Sequence, residues 1–146
     1  MIRNPEGLIP PVRAKVEQWH SACLARGVEM LVYCTRRTAL EQEVLYAKGR
    51  TAPGPKVTNA GAWQSWHQYG RAIDAVPLDN GKPVWKYSPA NGLWAVAAEE
   101  GDEAGLEWAG RWKTFREYVH WQDTGEMSLA EAYNELHPVV PTTGVA

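Results

Sequence analysis

This chain has little that would commit it to a membrane, to nucleic acid or to an oxidising compartment. Its 146 residues include only two cysteines, Cys23 and Cys34, without the C-x-x-C spacing of a zinc knuckle. Such a pair reads as buried free thiols of the core rather than as a bridge. Charge of one sign is lacking too: 15 Lys and Arg stand against 17 Asp and Glu, for a net charge of −2, and no basic run occurs. A nucleic-acid or anionic-membrane surface would need one, so neither partner is expected. No apolar stretch approaches the roughly 20 residues of a membrane span. The first residues, Met1-Ile2-Arg3-Asn4-Pro5-Glu6-Gly7, lack the apolar core of a secretory signal. The expectation is a protein made in the cytoplasm without a signal peptide, reaching any external target by another route.

What is present in excess is tryptophan. Seven of the eight, Trp63, Trp66, Trp85, Trp94, Trp108, Trp112 and Trp121, lie between residues 63 and 121, the stretch that carries the histidines and carboxylates discussed below. Most are expected in the core, with a few lining a groove for an extended sugar or peptide. The length suits one domain, 1–146, able to bury roughly 70% of its unfolded-chain surface, and a monomer is expected. Val12, Val16, Trp19 and Cys23 recur at helical spacing after Pro10-Pro11, and Gly27 stops the pattern. Residues 28–35 read as a central strand, and Thr38 with Glu41 as a capping box opening a helix through residue 48. A loop follows over 51–61, then two short strands, 64–67 and 71–76, around a turn at Gln68-Tyr69-Gly70. Residues 77–83 read as a turn, 84–87 as a further strand and 93–104 as a helix whose last turn Gly101 weakens. Ser128 and Glu131 cap a final short helix to about residue 136, and a loose tail is expected from His137. The sum is an α+β domain, a small, mostly antiparallel sheet flanked by helices.

Chemistry concentrates at His67, Asp74 and His120. Two imidazoles and a carboxylate are the ligand set of a catalytic zinc site whose fourth position is left to water. Alternation along 71–74 puts Ala72 and Asp74 on one face of a strand and Ile73 on the other. A carboxylate in that apolar company is costly unless it meets a cation. Singly, each residue could be a hydrogen-bonded core group, and Asp74 the partner of an arginine. Together with Glu117, three residues before His120, they make a metal-hydrolase set with a general base. His20 and His137 lie outside the pattern and read as surface or helix-end groups.

Ser65, His67, Gly70, Ala72 and Asp74 fall on the S-x-H-x-x-G-x-A-x-D signature of the zinc D-Ala-D-Ala carboxypeptidase and L-alanyl-D-glutamate peptidase superfamily (peptidase family M15), which the chain resembles. Gly105-Leu106-Glu107-Trp108-Ala109-Gly110-Arg111-Trp112 resembles its G-x-E-W-G-G-x-W, and Glu117 to His120 its acidic-x-x-His end. Arg37-Thr38, Glu41-Gln42, the run Leu45-Tyr46-Ala47-Lys48-Gly49-Arg50 and Thr58-Asn59-Ala60 are similar to the phage-lysin branch. The likeness spans about 28–122, and several motifs in order are more specific than any one. Val119 and Ala109 stand where the family often has Pro and Gly, and neither change removes a ligand.

The resemblance implies a Hedgehog/DD-peptidase-like fold with one zinc per chain on His67, Asp74 and His120. It implies Glu117 as the catalytic base and Arg37 on the substrate carboxylate or the developing oxyanion, with the adjacent Arg36 as the alternative guanidinium facing the site. Ser65 is placed to hydrogen-bond a ligand or substrate, or to serve the local backbone. The expected activity is cleavage of peptidoglycan stem peptides by an L-alanyl-D-glutamate endopeptidase, a phage endolysin acting on the wall after release. The alternatives are a D-Ala-D-Ala carboxypeptidase or dipeptidase, and a zinc-stabilised wall-binding module without catalysis.

Overall fold

A computed structural model describes residues 1–138. Helix α1, Pro10–Ala25, opens on two prolines whose missing N–H groups fall where a helix leaves donors free. It buries Val12, Val16, Trp19 and Cys23, the stripe the spacing predicts. Strand β1, Met30–Cys34, leads into α2, Ala39–Ala47, whose capping box joins Thr38 and Glu41. Strand β2, Ala72–Asp79, turns through Asn80-Gly81 into the two-residue β3, Lys82–Pro83. Asn91 caps α3, Gly92–Ala104, and left-handed Gly105 ends it. Strands β4, Glu107–Trp108, and β5, His120–Gln122, complete the sheet, and α4, Leu129–Leu136, carries the Ser128–Glu131 capping box.

The sheet is antiparallel throughout, in the order β1-β2-β5-β4, with β3 paired to β2. Its core is built largely from indoles. Trp19 of α1 packs 4.7 Å, centroid to centroid, from Trp121 of β5, which stacks on Trp108 of β4 at 5.3 Å. Trp19 also donates its indole N–H to the Ala97 carbonyl of α3 at 2.9 Å, tying the two helices together. Ile73 and Ala75 of β2 enter this core, so by alternation Asp74 takes the other side of the strand.

Three expectations change. Residues 64–67 are not a strand: Trp66–Tyr69 form a single turn of 3-10 helix, capped by Ser65 and Gln68 and closed by Gly70 in the left-handed region. The S-x-x-Q capping box outweighs the β-forming side chains. Residues 77–83 are not one turn, because β2 runs through the buried Pro77 and only Asn80 and Gly81, at φ of 49° and 78°, reverse the chain. Residues 84–87 form no strand, and Trp85 and Tyr87 pack on Tyr33 and Tyr118 instead.

Both histidines read as peripheral make contacts. His20 is half-buried with Nε2 3.0 Å from the Met30 carbonyl oxygen, and His137 stacks on Tyr133 and meets Trp63 edge-on. His137, where the loose tail is expected to begin, is thus packed against its neighbours, and residues 139–146 of that tail lie outside the described residues. No helix among the described residues is long and apolar enough to cross a membrane.

Candidate metal centre

The sheet register lines up the first part of the site. Asp74 on β2 pairs with Cys34 on β1 and with His120 on β5, so three chemistry-bearing side chains stand abreast on adjacent strands. His67 comes from the 3-10 turn just before β2. The Ser65 hydroxyl accepts from the His67 N–H at 3.3 Å, and left-handed Gly70 swings the chain into the strand. A Cβ at Gly70 would stand 3.0 Å from the Gly7 carbonyl oxygen, so both the angle and the space there call for glycine.

His67 Nε2 is 3.2 Å from Asp74 Oδ1, and His120 Nδ1 is 3.6 Å from the same oxygen. The outer face of each ring assigns the protons. His67 Nδ1 lies 3.0 Å from the Thr35 carbonyl, which can only accept, so Nδ1 carries the hydrogen. His120 Nε2 lies 2.7 Å from Gln122 Oε1, and the Gln122 amide is oriented by donating its nitrogen to the Glu107 carboxylate. His120 thus donates from Nε2. Each neutral imidazole then turns a bare nitrogen towards one carboxylate oxygen. Three electron-pair donors converge on one point, which suits a cation of the zinc type, with carbonyl or amide partners behind each imidazole.

Burial pulls the His67 pKa below its ordinary value. It also works against an ionised Asp74, yet when protons occupy the inner nitrogens in place of a metal, the charges and hydrogen bonds of His67 and His120 hold that carboxyl well below the usual range. Burial opposes charge on His120 too, but Asp74 outweighs it and raises the His120 pKa. The carboxylate draws positive charge to this point, proton or metal.

Cys34 is the alternative third donor, within 4.8 Å of the His67 and Asp74 ligand atoms. Its sulfur, however, approaches His67 on the Nδ1 side at 3.8 Å, where the ring is committed to Thr35, and it accepts from Arg37 Nε at 3.4 Å. Burial pushes its pKa up, which disfavours the thiolate a metal would need. The residues that fit zinc are His67, Asp74 and His120. Cys34, expected in the core, is buried but belongs to the site.

Glu117 stands at the rim. A backbone bond from the His120 N–H to the Glu117 carbonyl closes a tight turn, and Glu117 Oε2 lies 4.0 Å from His120 Nδ1. Its side chain is 45% exposed, so water reaches it. Arg37 lies on the floor with Nη2 donating to Asp74 Oδ2 at 2.6 Å, whereas Arg36 is exposed and does not line the cleft. Of the two arginines, Arg37 is at the site.

These groups open into a cleft of about 740 Å³. The loop segment Val57-Thr58-Asn59-Ala60 lines it, as do Trp112, Phe115, Tyr118 and Trp85. Trp85 and Phe115 are 58% and 73% exposed, unlike the core indoles, so only a minority of the tryptophans have the groove role. Sequence reasoning missed Thr35, Gln42 and Gln122 as supporting groups. Gln122 had a signal, its place two residues after His120 on one strand face; a carbonyl such as that of Thr35 has none.

The profile of the family described as D-alanyl-D-alanine carboxypeptidase matches residues 58–123, a span holding His67, Asp74, Glu117 and His120. The peptidoglycan L-alanyl-D-glutamate endopeptidase CwlK of Bacillus subtilis (strain 168) is 34% identical over 122 residues, covering 80% of this chain and 73% of CwlK. Among solved structures, the L-Ala D-Glu endopeptidase ChiX of Serratia marcescens matches with a TM-score of 0.60 at 20% identity, over 93% of this chain and 88% of ChiX. The LD-carboxypeptidase LdcB matches with a TM-score of 0.65 at 16% identity, over 87% of this chain and 68% of that one. A Zn(II) complex of a mutant of the vancomycin-resistance D,D-pentapeptidase VanY matches at 0.56 and 17% identity, over 89% and 78%. At such identities the three structures speak to the fold, the expected DD-peptidase-like α+β architecture.

Proposed function

This chain belongs to the zinc D-Ala-D-Ala carboxypeptidase and L-alanyl-D-glutamate peptidase family and is a peptidoglycan-cleaving hydrolase; within it, we propose that the enzyme is a zinc-dependent L-alanyl-D-glutamate endopeptidase. The observation that carries the reading is the convergence of His67 Nε2, His120 Nδ1 and Asp74 Oδ1 beside the Glu117 carboxylate. The choice of bond is supported by the likeness to CwlK, whose name states that cleavage. One zinc per chain, held by the two imidazoles and Asp74, would supply Lewis acidity towards the scissile carbonyl and towards water.

The chain's own groups do the rest. Glu117, water-accessible and next to the ligands, accepts a proton from the attacking water and delivers it to the leaving amine. Thr35 and Gln122 keep each imidazole in the tautomer that offers its bare nitrogen inward. The 57–60 loop and the Trp85, Trp112 and Phe115 side chains supply the groove for a stem peptide and its glycan. Ser65, at the cleft edge, secures the backbone of His67 and stands where a substrate passes.

The biological role that fits is host lysis by a bacteriophage endolysin acting on the wall after release, as the lysin-like motifs suggest. The run 45–50 has a structural part in this cleft, since Arg50 Nη1 donates to the Thr58 carbonyl at 3.0 Å and so anchors the 57–60 loop. Digestion of purified sacculi with the zinc-loaded protein should expose new glutamate amino termini and release no free D-alanine. Release of D-alanine alone would make it a carboxypeptidase. Binding to sacculi with no new amino termini would make it a wall-binding module. Lysis of outer-membrane-permeabilised Gram-negative cells tests the endolysin role.

A further inference from the structure

Gln42 is a wholly buried amide on α2, and such a group persists where its hydrogen bonds are met. Its Nε2 donates to the Ala60 carbonyl at 2.7 Å, so its Oε1 points the other way and accepts from Arg37 Nη1 at 3.0 Å and Gln68 Nε2 at 3.2 Å. Arg37 extends the chain of bonds: Nε donates to Cys34 at 3.4 Å and Nη2 to Asp74 Oδ2 at 2.6 Å. Every guanidinium nitrogen has a protein partner, and the Arg37 backbone N–H bonds the His67 carbonyl at 3.3 Å. The two oxygens of Asp74 are thereby divided, Oδ1 towards the imidazoles and Oδ2 under the guanidinium.

We propose that Arg37 and Gln42 are positioning residues that hold Asp74 as a one-oxygen metal ligand, Arg37 by occupying Oδ2 and Gln42 by fixing the guanidinium. This rests on the zinc reading above and departs from the substrate contact that family resemblance implies for Arg37. A carboxylate with both oxygens unrestrained can swing to offer both to a metal and so crowd the position that water or substrate needs. The planar fork of Arg37 prevents that swing, and it is rigid only because Gln42 and Cys34 grip its other nitrogens. Turning Arg37 towards a substrate carboxylate would leave Asp74 Oδ2 without its charged partner in a buried site, an arrangement that buried charges avoid. Through Ala60 the same bonds couple the 57–60 loop to the ligand.

The test is the zinc dissociation constant of the purified protein, measured by chelator competition, for the parent, Arg37→Gln, Arg37→Lys and Gln42→Leu. KM and kcat of the zinc-saturated proteins and the visible spectrum of the cobalt(II)-substituted proteins are measured alongside. Removing a partner behind a ligand typically weakens metal binding about 10–100-fold, and Arg37→Gln should fall in that range. Arg37→Lys, which keeps the charge but not the fork, should recover part of the loss, and Gln42→Leu should weaken zinc by a smaller factor. Each should alter the cobalt spectrum while KM under zinc saturation stays within about twofold, since substrate contacts are left in place. Unchanged zinc affinity and cobalt spectrum with KM raised about tenfold or more would make Arg37 a substrate contact and overturn the proposal. A parent that binds no zinc would instead overturn the zinc reading itself. Should Arg37→Gln fail to fold, the Arg37→Lys and Gln42→Leu measurements decide.

Discussion

Asp74 is flanked by His67, His120 and Arg37, so its carboxylate faces the two imidazoles with one oxygen and the guanidinium with the other. What is particular to this site is how much of it depends on neutral groups behind the ligands. Gln122 is one: replaced by leucine it can no longer accept from His120 Nε2, and zinc affinity should fall about 10–100-fold while the fold persists. Chelator competition checks it, and an unchanged affinity would remove Gln122 from the site. That His67, Asp74 and His120 come together was legible in the sequence because ionisable side chains in apolar surroundings have few other uses, and Glu117 was singled out by its spacing three residues before His120. Gln42, Gln122 and the Thr35 carbonyl were not, since amides and carbonyls declare a role only once register brings them beside a ligand. Away from the site, partial burial opposes ionisation of Asp123, but the Lys15 ammonium and the Gly125 N–H outweigh it and hold its pKa below the ordinary value. A depressed carboxyl pKa means stability present above the unfolded value of about 3.9 and lost as the pH falls through the folded one. Asp123→Asn should therefore lower the melting temperature at pH 7, by no more than about 1 kcal/mol of stability given the half-exposed lysine. The gap from the parent should close as the pH drops below about 3.9, which melting curves across pH would reveal.

Helix α3 shows what the elements require of each other. Gly101 looks like a weak point in its last turn, yet a Cβ there would lie 2.9 Å from Trp121 Cζ3, a ring that is wholly buried. Gly101→Ala should destabilise by about 1–3 kcal/mol of overpacking in spite of the roughly 1 kcal/mol that alanine gains in a helix. Denaturant titration reads the difference, and a stabilised variant would mean that the helix has room to move off β5. The four helices among the described residues were largely legible, because proline starts, capping boxes and glycine stops mark them. The elements carrying the site were less so. The 3-10 turn of His67 hid behind β-forming residues, and Pro77 passed for a turn because paired strands seldom hold proline away from an edge or a bulge. Which strands are neighbours is a long-range matter, and it alone puts Cys34, Asp74 and His120 abreast.

For the molecule as a whole, the proposed zinc ligands lie on two strands and the turn before them, so a metal held there would join parts of the chain that are distant in sequence. Zinc at about 100 times its dissociation constant should stabilise the native state by roughly 2.7 kcal/mol, and chelation should remove that increment. In His67→Ala protein the melting temperature should no longer respond to zinc; an undiminished response would place the metal elsewhere. The composition left open which bond the enzyme cuts, because specificity lives in the shape of the cleft walls rather than in the ligand set. The central claim, that Glu117 drives hydrolysis beside a metal it does not bind, is tested most directly by Glu117→Gln. Zinc content and the rate of new amino termini from purified sacculi should be measured on the same sample. The account predicts full zinc, an unchanged fold and a rate lowered on the order of 10²–10⁴-fold; a zinc-loaded Glu117→Gln protein that cleaves stem peptides at the parent rate would contradict it.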